Sequence, residues 1–135
     1  MLEQEKLTGE IIASAIEVHK RLEPGYVEQI YENALILELR KRGLKVDKEV
    51  LITIEYDGIE VGKHRLDLLV EDEIVVELKA IKDFEDIHFV IVRSYLKAIG
   101  KEHGLLFNFA KPKLEIKRVI FQKDFNKVSK PAILN

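Results

Sequence analysis

Residues Arg65 to Ala80 read RLDLLVEDEIVVELKA, two apolar runs around an acidic triplet. Side chains on a β-strand alternate between faces with a period of two. In the first run Leu66, Leu68 and Val70 share one face, and Arg65, Asp67 and Leu69 share the other. In the second run Ile74, Val76, Leu78 and Ala80 share one face, and Val75, Glu77 and Lys79 the other. An antiparallel hairpin must superpose its two apolar rows, because a one-residue slip sends a whole row to the wrong side. A three-residue loop, Glu71-Asp72-Glu73, meets that requirement; it pairs Val70 with Ile74 and sets Asp67 opposite Glu77. Such loops usually need one left-handed residue, and Asp72 tolerates that conformation. The pattern therefore predicts a hairpin with Asp67, Glu77 and Lys79 together on one face. Leu69 and Val75 on the same face predict that it is covered as well, and covered carboxylates need a partner or a metal.

Two carboxylates and an ammonium group on one face have a plain chemical use. Hard cations such as Mg²⁺ take oxygen ligands, typically one or two carboxylates with water and phosphate. A cation so held activates water and offsets charge during phosphodiester cleavage, and a lysine beside it holds or deprotonates the attacking water or contacts phosphate. The same residues also suit a solvated strand face with a cross-strand Lys–carboxylate pair. Spacing alone leaves both readings open.

Asp67 followed by Glu77-Leu78-Lys79 resembles the D…(D/E)-x-K core of the PD-(D/E)XK nuclease superfamily. The chain is similar, more closely, to the small GxxExxY proteins of that superfamily. Their naming motif stands at Gly25-Tyr26-Val27-Glu28-Gln29-Ile30-Tyr31; AIEVHKRLEPG before it and the later IH…YLK and GLLFNF blocks match as well. The resemblance covers roughly residues 8 to 121. It implies a restriction-endonuclease-like α/β fold, with a central mixed β-sheet flanked by helices. It implies Mg²⁺ or Mn²⁺ on Asp67, Glu77 and the backbone carbonyl of Leu78, with Glu28 reaching the site from an early helix. Lys79 would position the nucleophilic water. Arg65, His88 and Tyr31 would contact phosphate or support the ligands. The substrate implied is nucleic acid, DNA rather than RNA, and a homodimer is expected by analogy. One departure weighs against catalysis. Where the family has a polar H-E-A-Q pattern in a later helix, His88 is followed by Phe89, Val90 and Ile91. An inactive nuclease-fold module that binds nucleic acid or a protein is therefore the competing expectation.

The rest of the chain reads as support for the hairpin. Its 135 residues suit one domain, with a core over about 8–121 and a tail over 122–135. Hydrophobic content of 47% with 34% charge belongs to a globular protein. No cysteine is present, which excludes disulfides and thiolate metal sites. No apolar run is long enough to span a membrane and the N-terminus lacks signal features, so the cytoplasm is expected. Net charge is −2, although residues 111–130 carry seven bases and two acids. Lys117, Arg118, Lys123, Lys127 and Lys130 form this basic end, which suits a lysine-protected sheet edge or a nucleic-acid surface.

A first helix is expected over residues 8–22, with Thr8 as N-cap and Leu7–Ile12 as hydrophobic staple. His19 falls on its apolar stripe and reads as a core histidine. A second helix is expected over 27–42, burying Val27, Ile30, Tyr31, Ala34 and Leu35 and ending at Gly43. Val46–Tyr56 reads as a strand turning at Asp57-Gly58, and the next strand runs from Ile59 with a break at Gly62. Arg65 suits an ion pair or a phosphate contact equally. Residues 84–99 read as a crossover helix, Gly104–Phe109 as a covered strand and Leu114–Phe121 as an edge strand. The four histidines lack zinc-like spacing.

Overall fold

The computed structural model describes residues 2–122, so Lys123, Lys127, Lys130 and most of the expected tail lie outside the described residues. Its elements follow in the order α1 (Leu2–Leu22), α2 (Glu28–Lys41), β1 (Val46–Tyr56), β2 (Ile59–Val70), β3 (Ile74–Lys79), α3 (Asp86–Ile99), β4 (His103–Asn108) and β5 (Glu115–Ile120). The strands form one sheet in the order β1-β2-β3-β4-β5. Every neighbouring pair is antiparallel except β3–β4, which is parallel and connected through α3. That is the mixed, helix-flanked sheet expected from the sequence.

Two cores sandwich the sheet. Ile74, Val76 and Leu78 of β3 and Leu105 and Phe107 of β4 pack with Ile11, Ala15, Tyr31 and Leu35 of α1 and α2. The alternate residues Val75 and Leu106 pack with Val92, Tyr95 and Leu96 of α3. β3 is thus covered on both faces, as Leu69 and Val75 implied.

The hairpin has the predicted parity. Leu69 pairs with Val75 and Val70 with Ile74 across the triplet 71–73. Two loop residues are left-handed, Glu71 at φ 53° and Asp72 at φ 58°. One expectation about it fails. Leu66 is buried with Ile52 and Val75 in the α3-side core, whereas Leu68 and Val70 lie in the other. The ladder between β1 and β2 runs from Val46↔Val70 to Lys48↔Leu68, skips Glu49 and Asp67, and resumes at Val50↔Leu66. Glu49 has φ 52°. This left-handed residue interrupts the pleat, so the apolar row changes face across Asp67.

Other corrections are local. α1 starts well before Thr8, because LEQEKL is rich in helix formers; Thr8 is buried inside the helix rather than at its cap. Leu7 and Ile12 both pack on the first core instead of stapling a helix end. In α2 the buried face is Tyr31, Glu32, Leu35, Ile36 and Leu39, while Val27 and Ile30 are 66% and 41% exposed. The rotation is set by Tyr31, whose ring stacks on Phe109 at 4.6 Å. α2 closes on Gly43 (φ 81°), where the Gly43 and Leu44 amides donate to the Arg40 and Leu39 carbonyls. β2 is not broken at Gly62. Instead Ile54 pairs with Gly62 and Glu55 with Glu60, leaving Val61 as a bulge.

Candidate active site

The ladder between β2 and β3 extends only from Val70↔Ile74 to Leu68↔Val76. Beyond it the two carboxylates take over the bonding. The Asp67 amide donates to Glu77 Oε1 at 2.9 Å, and the Leu78 amide donates to Asp67 Oδ2 at 3.0 Å. Each acid thus binds the backbone of the opposite strand with one oxygen, leaving its second oxygen for another partner. Glu77 is buried and Asp67 half-buried. Lys79 lies one turn of the pleat beyond Glu77, is half-buried, and makes no salt bridge among the described residues.

The GxxExxY segment wraps this fork. Glu23 at φ 63° and Gly25 at φ 128° form the turn between α1 and α2. The Tyr31 hydroxyl closes that turn, donating to the Glu23 carbonyl at 2.7 Å and accepting from the Tyr26 amide at 3.1 Å. Gly25 is therefore required by the backbone, and the buried Tyr31 commits its hydroxyl to this turn. Glu28 opens α2 and is exposed, with Oε2 receiving the Ala80 amide at 3.4 Å. On the far side Asn108, fully buried, fixes the chain just after Lys79. Its Oδ1 accepts from the Ile81 and Ala110 amides, each at 3.1 Å, and its Nδ2 donates to the Ile81 carbonyl at 2.9 Å.

Burial of the acids, reinforced by their mutual repulsion, is the dominant electrostatic feature. Burial, then Asp67, pushes Glu77 up to about 8. Asp67 is raised by burial and by Glu28 and Glu49, against the opposing Leu78 amide and Lys79. Glu32, one helical turn after Glu28, was missed from the sequence. It is only 7% exposed, and burial, Asp67 and Glu49 push it up to about 7. Its Oε2 is the one buried side-chain atom without a partner among the described residues. Its i+4 relation to Glu28 sets the two acids on one helix face, but that spacing carries no sign of its depth. Tyr95 from α3 is raised to about 12 by burial and by Glu77 and Asp67, and its hydroxyl donates to the Arg65 carbonyl at 3.2 Å.

The remaining candidates sit at the periphery. The Arg65 guanidinium is 3.6 Å from Glu49. His88 Nδ1 accepts the Glu85 amide at 2.8 Å, in a reciprocal cap at the start of α3. Phe89 and Ile91 pack against the α3-side core. His19 bonds the Lys111 carbonyl at 2.8 Å and packs on Phe109, as a structural histidine. Among the described residues no group of three His, Asp or Glu side chains is close enough to hold a metal ion by itself. The donor set still suits a hard divalent cation. Such ions commonly take one or two protein carboxylates and complete their shell with water and substrate phosphate, and Asp67 and Glu77 each keep one oxygen uncommitted at the fork.

No curated protein matches the chain. Several solved structures are similar in fold. The crystal structure of SSO0001 superposes with a TM-score of 0.57 at 21% identity, covering 77% of this chain and 55% of its own; this chain thus spans about half of that protein's length. An alkaline exonuclease (LHK-Exo) from Laribacter hongkongensis gives a TM-score of 0.50 at 14% identity, covering 88% of this chain and 73% of its own. The family model described as PD-(D/E)XK nuclease superfamily matches residues 5–119, a span that holds the Asp67–Glu77 fork, Lys79 and the α2 acids, and the chain belongs to the PD-(D/E)XK nuclease superfamily.

Proposed function

We propose that this chain is a divalent-cation-dependent nuclease of the GxxExxY type, hydrolysing nucleic-acid phosphodiester bonds at the fork between β2 and β3. The observation that carries this reading is the reciprocal bonding of Asp67 and Glu77, which leaves one oxygen of each carboxylate uncommitted beside Lys79. Asp67, Glu77 and the Leu78 carbonyl would hold Mg²⁺ or Mn²⁺, with Glu28 adding charge at the rim. The bound cation supplies a lowered pKa for water and charge neutralisation at the phosphate. Lys79 holds the attacking water and directs its lone pair at phosphorus. Arg65, whose exposed pair with Glu49 is weak and readily exchanged, contacts the phosphate.

Lys79→Ala is expected to abolish Mn²⁺-dependent cleavage of oligonucleotides while leaving the far-UV circular dichroism unchanged. Cleavage at the wild-type rate by a folded Lys79→Ala protein excludes this role for the lysine. A second reading, a binding module without catalysis, is favoured by Phe89 and Ile91, whose packing into the core leaves α3 without the polar groups expected there. It predicts nucleic-acid binding by the wild type with no cleavage of duplex, branched or single-stranded substrates.

A further inference from the structure

Three loops meet at the C-terminal end of the parallel pair β3–β4, the end that holds the fork. His19 Nε2 lies 2.8 Å from the Lys111 carbonyl, tying the last turn of α1 to the β4–β5 turn. Lys111 Nζ bonds Asp83 at 2.7 Å, tying that turn to the segment between β3 and α3. Beside these three residues stand Lys20, Lys113 and Lys82, all exposed and without a salt bridge among the described residues. Tyr26 stands in the same rim. It is 48% exposed, yet firmly mounted. Its amide donates to the Tyr31 hydroxyl at 3.1 Å, and Tyr31 is stacked on the buried Phe109 where β4 ends. The rings of Tyr26 and Tyr31 meet at 6.0 Å with their planes 69° apart, so at least one face of Tyr26 is free of Tyr31. Two residues further on, Glu28 reaches the Ala80 amide, next to Lys79.

Given a nucleic-acid substrate at the fork, as proposed above, we infer that Tyr26 stacks on one unpaired base while Lys20, Lys82 and Lys113 hold the flanking phosphates. The site then takes nucleic acid that is single-stranded beside the scissile bond, and Tyr26 is a residue that sets this specificity. Aromatic rings set among basic side chains suit single strands, because every base has a π-face and every nucleotide a phosphate. A base inside a duplex has both faces covered by its neighbours and must be unstacked before a protein ring can meet it. A tyrosine left half in water forgoes much of the burial open to its ring; a stacked base covers the free face. The mounting on Tyr31 holds that face in place before the strand arrives, which lowers the ordering cost of binding.

The test is fluorescence anisotropy of a short fluorescein-labelled oligothymidine and of a blunt duplex of equal length, in EDTA and again with Ca²⁺, each strand recovered intact on a gel. Tyr26→Ala is expected to weaken single-strand binding on the order of tenfold and to leave duplex binding unchanged. Tyr26→Phe should bind as the wild type does, since stacking needs the ring and not the hydroxyl. One abasic nucleotide moved along the strand should reach a position where the wild type loses the same factor and Tyr26→Ala loses nothing more; a tyrosine that only supports the turn gives no such position. If Tyr26→Ala fails to fold, Tyr26→Leu, which keeps an apolar side chain against Tyr31, carries the test. Equal single-strand affinity in wild type and variant overturns the inference and leaves the nuclease reading standing. An equal loss on single strand and duplex does the same. A wild type that binds neither strand nor duplex in either buffer overturns the nuclease reading, and this inference with it.

Discussion

Glu32 illustrates what single side chains contribute. It is an acid buried without a partner for Oε2, and its raised value has a testable consequence. An acid whose folded-state pKa lies above its unfolded value binds a proton that the unfolded chain releases, so stability falls as pH rises between the two values. For Glu32 that window runs from 4.5 to about 7. The metal-free protein should therefore melt at a lower temperature at pH 8 than at pH 5, and Glu32→Gln should flatten that slope in a pH series of thermal melts. An identical slope in the variant would mean that Glu32 ionises freely in the fold. Asn108 makes a second case. Asn108→Ala strands the Ile81 amide and carbonyl and the Ala110 amide, and should cost about 2 kcal/mol in urea unfolding. The hairpin and its loop were legible because alternation and loop parity fix the pairing of Val70 with Ile74. Glu32 and Asn108 were not, because depth and a partner 27 residues away depend on how whole elements dock.

Elements add constraints that no local pattern carries. α3 was legible as a crossover because a parallel neighbour requires one, and β3–β4 is the parallel pair. How tightly α3 presses on the sheet was not. A Cβ added to Gly104 would lie 2.7 Å from Val92 Cγ1, closer than carbon atoms approach. Gly104→Ala should therefore destabilise by about 1–3 kcal/mol, the usual cost of overpacking, read as a shifted urea midpoint. An unchanged midpoint would mean that α3 yields without loss. The face change at Leu66 was hidden for a related reason. Alternation assumes an unbroken pleat, and the pleat is broken here by a left-handed residue on the neighbouring strand, Glu49. The same break frees Asp67 from the ladder and lets its carboxylate reach the Leu78 amide. The error in reading Leu66 and the geometry of the site thus share one cause.

At the scale of the whole molecule, the fold concentrates negative charge that the chain as a whole does not have. Net charge is only −2, yet Glu28, Glu32, Glu49 and Glu77 each lie within electrostatic reach of Asp67. Gathering them costs stability, and a cation bound only by the folded state returns it by mass action, by about 2.7 kcal/mol when free ligand exceeds Kd a hundredfold. Mn²⁺ should therefore raise the melting temperature. The rise should be larger at pH 8 than at pH 5, because protons compete for carboxylates whose folded-state pKa values are raised, Glu77 to about 8. Asp67→Ala should abolish the rise at both pH values, since it removes one of the two acids that face each other across the fork. Thermal melts with and without Mn²⁺ measure all of this without a substrate. A rise that is the same at both pH values, or that survives in Asp67→Ala, would assign the ion to some other part of the surface. In that case the charge gathered here would serve the proton held by Glu77 and Glu32 rather than a metal.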